Sequence, residues 1–260
     1  MKQVLITGGS SGIGLATARK LMEKKNWKVI SLSRSQAKIE RALETHPEME
    51  GVVDFITGDV SQPEDCRRVA EYIDEHYGQL HGLVNNAGML TAGGIQDIDF
   101  DLWKANIDIN LHAPYLLTQT LLPLLKASGN ASVVNISSVA SRIPGRSIAY
   151  SVSKAGLDMI TEFLAGELGP YSIRVNAVNP GLVETPLHLD SKVVANEAIY
   201  REMLVKSAAK YPIGRIGKPE DIANMVFFLL SDQASWVTGS IIRVDGGSSV
   251  FNEILPGKKH

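Results

Sequence analysis

Short runs in which almost every position is apolar or β-branched recur along this chain of 260 residues: Gln3 to Thr7, Lys28 to Ser33, Val52 to Thr57, Leu80 to Asn85, Ser132 to Ser137, Ile173 to Asn179 and Ser240 to Val244. Strands with one solvated face alternate apolar and polar side chains. These runs, such as VLITG and SVVNIS, do not, as burial on both faces of a parallel sheet requires. Between them lie segments with apolar spacing of about 3.6 residues, among them Ile13 to Glu23, Pro63 to Tyr77, Asp101 to Lys126, Ala149 to Leu168 and Pro219 to Leu230. The alternation predicts a doubly wound α/β domain with about seven parallel strands, helices on both faces and right-handed crossovers. No linker or charge block interrupts it, so residues 1–260 read as a single domain. In such sheets ligands bind beyond the carboxyl ends of the strands, which directs attention to the residues just after each run.

Charge and composition narrow the partners. With 26 basic and 28 acidic residues the chain has no excess of positive charge, and no nucleic-acid partner is expected. The longest apolar runs, such as Met225 to Leu230, fall far short of the about 18 residues that cross a bilayer. No secretory leader pattern opens the chain, and the expectation is a soluble, cytoplasmic protein with no membrane contact. Cys66 is the only cysteine, which excludes an internal disulfide and a thiolate zinc cluster. It reads as a reduced thiol on a helix, and no metal site is expected.

The first strand runs into Gly8-Gly9-Ser10-Ser11-Gly12-Ile13-Gly14. As G-x-S-x-G this is the lettering of a hydrolase elbow with Ser10 as nucleophile, but only seven residues precede Gly8. His46, His76, His81, His112, His188 and His260 are scattered, with no acid placed to activate Ser10. A Walker loop requires Lys after Gly14, where Leu15 stands. What remains is a glycine loop entering a helix, where glycines give a tight turn, close approach of amides to a pyrophosphate and close packing of helix on strand.

Taken together, TGGSSGIG at residues 7 to 14, Asn85-Asn86-Ala87-Gly88, Ser138, Tyr150-x-x-x-Lys154 and Asn179-Pro180-Gly181 resemble the short-chain dehydrogenase/reductase family. The likeness continues to Val244-Asp245-Gly246-Gly247, and its glycine spacing matches the branch of about 250 residues rather than the epimerase branch. The resemblance implies a seven-stranded Rossmann sheet in the order 3-2-1-4-5-6-7 and reversible hydride transfer between a nicotinamide and a carbonyl or alcohol. It implies Ser138, Tyr150, Lys154 and Asn110 as the catalytic set, Asn110 supporting a water-linked proton path. It places Gly8, Ser10, Ser11, Gly12, Ile13 and Gly14 against the phosphates and Asp59 and Val60 at the adenine. Asn86, Ala87 and Gly88 form a scaffold that the cofactor approaches, Pro180, Gly181 and Val183 grip the carboxamide, and Thr185 faces the phosphates. Residues 186 to 212, with Leu187, His188, Tyr200, Met203 and Leu204, resemble a mobile substrate lid. The helices from Asp101 and Ala149 are implied as one dimer face and the C-terminal strand and tail as a second, giving a homotetramer or homodimer.

The residues themselves carry part of this chemistry. Reducing a carbonyl needs a proton donor with a pKa near the working pH. Moving a tyrosine from about 10 to about 7 takes about 4 kcal/mol, which one ammonium about 4 Å away supplies at an effective dielectric of about 20. Lys154, one helical turn after Tyr150, is spaced to do so. Ser137 and Ser138 compete for the substrate oxygen, and Val139-Ala140 after it favours Ser138. The second strand ends Ser31-Leu32-Ser33-Arg34-Ser35, with no acid to accept hydrogen bonds from the adenosine ribose. Ser33 can donate to a 2′-phosphate and Arg34 can pair with it, so NADP(H) is favoured and NAD(H) stays possible. The substrate reads as a small or medium ketone or its alcohol. The neighbourhood Ala127 to Asn130 and Pro170 to Ser172 lacks the basic patch that would receive an acidic acyl carrier, which lowers a 3-oxoacyl-carrier-protein reductase reading without removing it. A dinucleotide-binding regulator without turnover would be expected to lose Tyr150 or Lys154.

Overall fold

Each of the seven apolar runs is a strand, and all seven join one parallel sheet in the order β3-β2-β1-β4-β5-β6-β7. The computed structural model describes residues 1–145, 147–191 and 193–250. Along the chain these are β1 (Lys2–Thr7), α1 (Gly12–Met22), β2 (Trp27–Ser33), α2 (Gln36–Thr45), β3 (Asp54–Thr57), α3 (Pro63–Tyr77), β4 (Gly82–Asn85) and α4 (Phe100–Ile107). A π turn over Asp108–His112 leads into α5 (Ala113–Ala127), β5 (Ala131–Ile136), α6 (Ile148–Leu168) and β6 (Ile173–Pro180). Then come α7 (Leu187–Asp190), α8 (Glu197–Ala208), α9 (Pro219–Leu230) and β7 (Ile241–Val244).

The apolar runs bury both faces as their composition requires. Val69 and Ile73 of α3 and Leu117, Leu121 and Leu125 of α5 cover Leu5, Leu83 and Val133 on one face. Ala18 and Leu21 of α1 and Ile222, Val226 and Leu229 of α9 cover Val4, Val84 and Val134 on the other. The order in which successive strands are added to the sheet reverses between β1 and β4, so the loops after these parallel strands part to opposite sides and open a crevice. Cys66 on α3 is buried beside it, with its thiol donating to the carbonyl of Val60 at 3.4 Å, and burial pushes that thiol up to about 11.

Two departures from the pattern have a clear local cause. β3 begins at Asp54 rather than Val52, because Val52 and Val53 both donate to the carbonyl of Met49 and close a turn. The helix expected over Asp101 to Lys126 is broken by the π turn. Pro114 has no N–H to give to the carbonyl of Asn110, so a continuous α ladder cannot pass this point, and the chain takes up the extra residue as a π turn.

Candidate active site

The glycine loop leaves β1 with Gly8 at φ +69° and Gly12 at φ +53°, conformations that side chains rarely adopt. A Cβ on Gly14 would meet the carbonyl oxygen of Gly8 and lie 2.6 Å from Nδ2 of Asn86, so the start of α1 packs directly on the loop. The loop after β4 is tied to it. Thr7 Oγ1 accepts from the main-chain N–H groups of Asn86 and Ala87, each at 2.9 Å, and Asn86 Nδ2 donates to the carbonyl of Thr7 at 2.8 Å. Asn85 Nδ2 bridges to Asn135 Oδ1 on the neighbouring strand at 2.8 Å. The amides of Asn85 and Asn86 thus knit the strand ends together.

α1 has an open N-terminus. Helices α2, α4, α6 and α8 each begin with a side chain accepting from a first-turn N–H, whereas Ser11 at the head of α1 caps nothing and no acid stands in the first turn. Unpaired N–H groups at the positive end of a helix dipole are an anion site. They open into a cleft of about 770 Å³ at the carboxyl ends of the strands. Gly8, Ser10, Ser11, Gly12 and Ile13 line it together with Ser33, Arg34, Asp59, Val60, Asn86, Ala87, Gly88, Pro180, Gly181, Val183 and Thr185. Gly14 lies behind that wall as its packing residue. A bare glycine cradle, an uncapped helix start and a cleft of this size fit a dinucleotide.

Other features of the walls fit the same group. Arg34 is exposed, 3.7 Å from a carboxylate oxygen of Asp59, while Ser33 is buried with its hydroxyl 3.3 Å from that of Ser31. The carboxylate of Asp59 is in turn held by the N–H and hydroxyl of Ser61. Val183 bridges to Gly217 through the groups of its neighbours: Gly217 donates to the carbonyl of Leu182, and Glu184 donates to that of Gly217. The N–H and C=O of Val183 itself are therefore on the side away from Gly217, as the carboxamide expectation needs.

Across the cleft, the hydroxyl of Ser147 caps α6 by accepting from the N–H of Tyr150 at 3.1 Å, which fixes the tyrosine in the first turn. Lys154, one turn on, is buried. Its Nζ donates to the carbonyl of Ile136 at 2.8 Å and stands 5.6 Å from the centre of the Tyr150 ring. Ser138, Tyr150 and Lys154 share this wall. The hydroxyl of Ser137 is turned the other way, donating to the carbonyl of Lys154 at 3.2 Å, whereas Ser138 interacts with the phenol. Asn110, in the π turn, is buried; its Oδ1 accepts from the N–H of Met89, and its Nδ2 donates to Met89 O at 2.9 Å and Ser153 Oγ at 3.2 Å. Both N–H groups of that amide are thus engaged, and its oxygen accepts one hydrogen bond.

The electrostatics depart from the expectation in one respect. Burial holds the Tyr150 phenol above its ordinary value, opposed by a hydrogen bond from Ser138, rather than near neutrality. Burial also pulls the ammonium of Lys154 down to about 8, against the attraction of Asp158.

The sequence did not single out Lys38, which lines the same cleft from the first turn of α2, beside Arg34 and Ser35. The lid residues divide. Leu187 and His188 line the cleft, and burial lowers the imidazole of His188. Tyr200 and Leu204, with Met203 against them, instead form a small core of their own, where the Tyr200 hydroxyl holds both the N–H and the carbonyl of Thr185. Ser10 is buried and makes no hydrogen bond with a histidine among the described residues. Among the described residues no helix is long and apolar enough to cross a membrane.

A family model described as enoyl-(acyl carrier protein) reductase matches residues 8–249. The chain is 35% identical over 248 residues to the 3-oxoacyl-acyl-carrier-protein reductase FabG of Thermotoga maritima, covering 95% of this chain and 97% of the relative. It is 38% identical over 251 residues to the granaticin polyketide synthase putative ketoacyl reductase 2 of Streptomyces violaceoruber, covering 95% and 96%. Among solved structures, the aldohexose dehydrogenase of Thermoplasma acidophilum in ligand-free form superimposes with a TM-score of 0.87 at 33% identity, over 100% of this chain and 97% of that one.

Proposed function

Because the chain belongs to the short-chain dehydrogenase/reductase family and is an oxidoreductase of the nicotinamide-dependent kind, we propose that it interconverts a ketone or aldehyde and the corresponding alcohol with NADP(H). The observation that carries this reading is one cleft with the glycine cradle and uncapped α1 on one wall and Ser138, Tyr150 and Lys154 on the other. The amides of residues 12 to 14 would hold the pyrophosphate, Ser33 and Arg34 a phosphate on the adenosine ribose, and the main chain of Val183 the carboxamide. Once bound, the nicotinamide supplies or accepts the reducing equivalent at the substrate carbon. Tyr150, which keeps its proton through neutral pH, donates it to the carbonyl oxygen, and Ser138 donates a hydrogen bond that fixes that oxygen in place. Ser137 is committed to α6, which favours Ser138.

Lys154 gives this scheme a pH signature. Its ammonium is needed to stabilise negative charge growing on the phenol oxygen, and it is charged below about 8. With a reducible ketone, kcat/KM for reduction is expected to be flat from pH 6 to about 7.5 and to fall tenfold per unit above about 8, as Lys154 loses its proton. A profile flat to pH 10 would remove Lys154 from this role.

For the cofactor, the missing acid at the end of β2 and the exposed Arg34 favour NADP(H). A charge-assisted pair with phosphate contributes about 1.5–3 kcal/mol, so Arg34→Ala is expected to weaken NADPH by about tenfold or more and NADH by less than twofold, by titration calorimetry. Equal affinity of the unaltered protein for the two would overturn the assignment.

The relatives named above reduce oxoacyl and ketoacyl groups or dehydrogenate an aldohexose, which keeps acyl thioesters beside simple ketones and sugars as substrate classes. A screen of ketones, sugars, steroids and acyl thioesters that follows NADPH oxidation separates them. Residues 186 to 212 act as the substrate lid in this reading. Leu102 on α4 and Val152, Met159 and Phe163 on α6 are exposed apolar side chains that fit a helix-to-helix dimer face. Gly156 and Ser153, by contrast, pack on Leu111 and Asn110 within the chain. The tail beyond residue 250, assigned to a second interface, lies outside the described residues.

A further inference from the structure

Residues 185–191 roof the cleft, and each end of the roof is fastened. At one end the Tyr200 hydroxyl accepts from the N–H of Thr185 at 2.9 Å and donates to its carbonyl at 2.8 Å; near the other, the N–H of Leu90 donates to Ser191 Oγ at 3.2 Å. A third fastening crosses to the nucleotide wall. Lys38 Nζ on α2 donates to Asp190 Oδ2 on α7 at 2.5 Å, joining residues 152 positions apart, and both side chains line the cleft beside Arg34 and Ser35. Lys38 is therefore the second cation at the place where a phosphate on the adenosine ribose would be received, and its present partner belongs to the roof.

Resting on the reading that the cofactor is NADP(H), we propose that Lys38 and Asp190 form a roof latch that the ribose phosphate competes to open. A phosphate monoester carries a charge of about −1.5 to −2 at neutral pH against −1 for the carboxylate, so it is the stronger claimant for the ammonium. Asp190, left beside the phosphate, is then repelled by it, and the roof loses its hold on α2. A cofactor without that phosphate has no claim on Lys38 and leaves the latch closed. The choice of cofactor is in this way coupled to the freedom of the segment that covers the substrate end.

The test is a double-mutant cycle on nucleotide affinity in the full-length protein, measured by calorimetry for NADPH and NADH with the unaltered chain, Lys38→Ala, Asp190→Asn and the double variant. Removing the competitor is expected to tighten NADPH about threefold in Asp190→Asn, the scale of an exposed ion pair, with NADH within twofold. Lys38→Ala weakens NADPH by about tenfold, and the gain from Asp190→Asn vanishes once Lys38 is gone. Amide exchange at Asp190 and Ser191 is faster in the NADPH complex than in the NADH complex, and Asp190→Asn abolishes the difference. A gain that persists without Lys38 overturns the latch, since Asp190 would then merely repel the phosphate. No gain, in a protein that still prefers NADPH, also overturns it. No preference for NADPH in the unaltered chain removes the cofactor reading itself, and the latch with it.

Discussion

Tyr150→Phe is expected to lower kcat for carbonyl reduction by about 10²–10⁴-fold, the usual contribution of a positioned proton donor, with NADPH affinity kept within about twofold. The substitution deletes one oxygen and leaves the ring against Lys154, while the Ser147 cap on the N–H of residue 150 is untouched. Steady-state rates on a substrate from the screen, beside a calorimetric titration with NADPH, separate chemistry from binding. A loss of less than tenfold would mean that another group protonates the oxygen. The same variant bears on the high phenol pKa. A phenol that burial keeps protonated is ready to donate and reluctant to act as a base, so the unaltered protein should reduce faster than it oxidises at neutral pH.

The second large effect falls on binding. Gly14→Ala puts a methyl group where only the Gly8 carbonyl and Asn86 Nδ2 now fit, the latter 2.6 Å away. Neither neighbour can yield cheaply: Gly8 is main chain, and Asn86 is fixed by its bond to the carbonyl of Thr7. The loop must move away from α1, and its amides with it. NADPH affinity is expected to fall by about 100-fold or more, together with about 1–3 kcal/mol of folding stability from overpacking. Gly145→Ala is the control, because a Cβ there meets nothing within 4 Å among the described residues. Unchanged affinity in Gly14→Ala would show that the loop tolerates a shift and does not rely on close packing.

Much of this protein is legible in its sequence because its sheet is buried on both faces and leaves no ambiguity of period. The runs at Gln3, Lys28, Leu80, Ser132 and Ile173 read as buried strands, and once strands alternate with helices the reversal of strand order beside β1 locates the cleft. The π turn was hidden because one added residue disturbs a 3.6-residue apolar spacing very little; the sign of it was Pro114, four residues after Asn110. Lys38 and Asp190 were hidden for a different reason. Their pairing joins positions 152 apart and depends on where the roof lies, which no local pattern encodes. The direction of the Tyr150 shift was hidden because the spacing to Lys154 shows that the two are near, not how completely the phenol itself is shut away from water.

The lone thiol of Cys66 offers a way to watch this cleft without a known substrate. Raised to about 11 and hydrogen-bonded to the carbonyl of Val60, it carries almost no thiolate at neutral pH, and an alkylating reagent can reach it only when α3 opens away from the sheet. Val60 lines the cleft, so a dinucleotide bound there should hold that opening shut. Labelling of the native protein is expected to be slow, and slower by about 100-fold at nucleotide concentrations about 100 times the Kd. The one cysteine thus acts as a built-in clock for local opening beneath the cofactor.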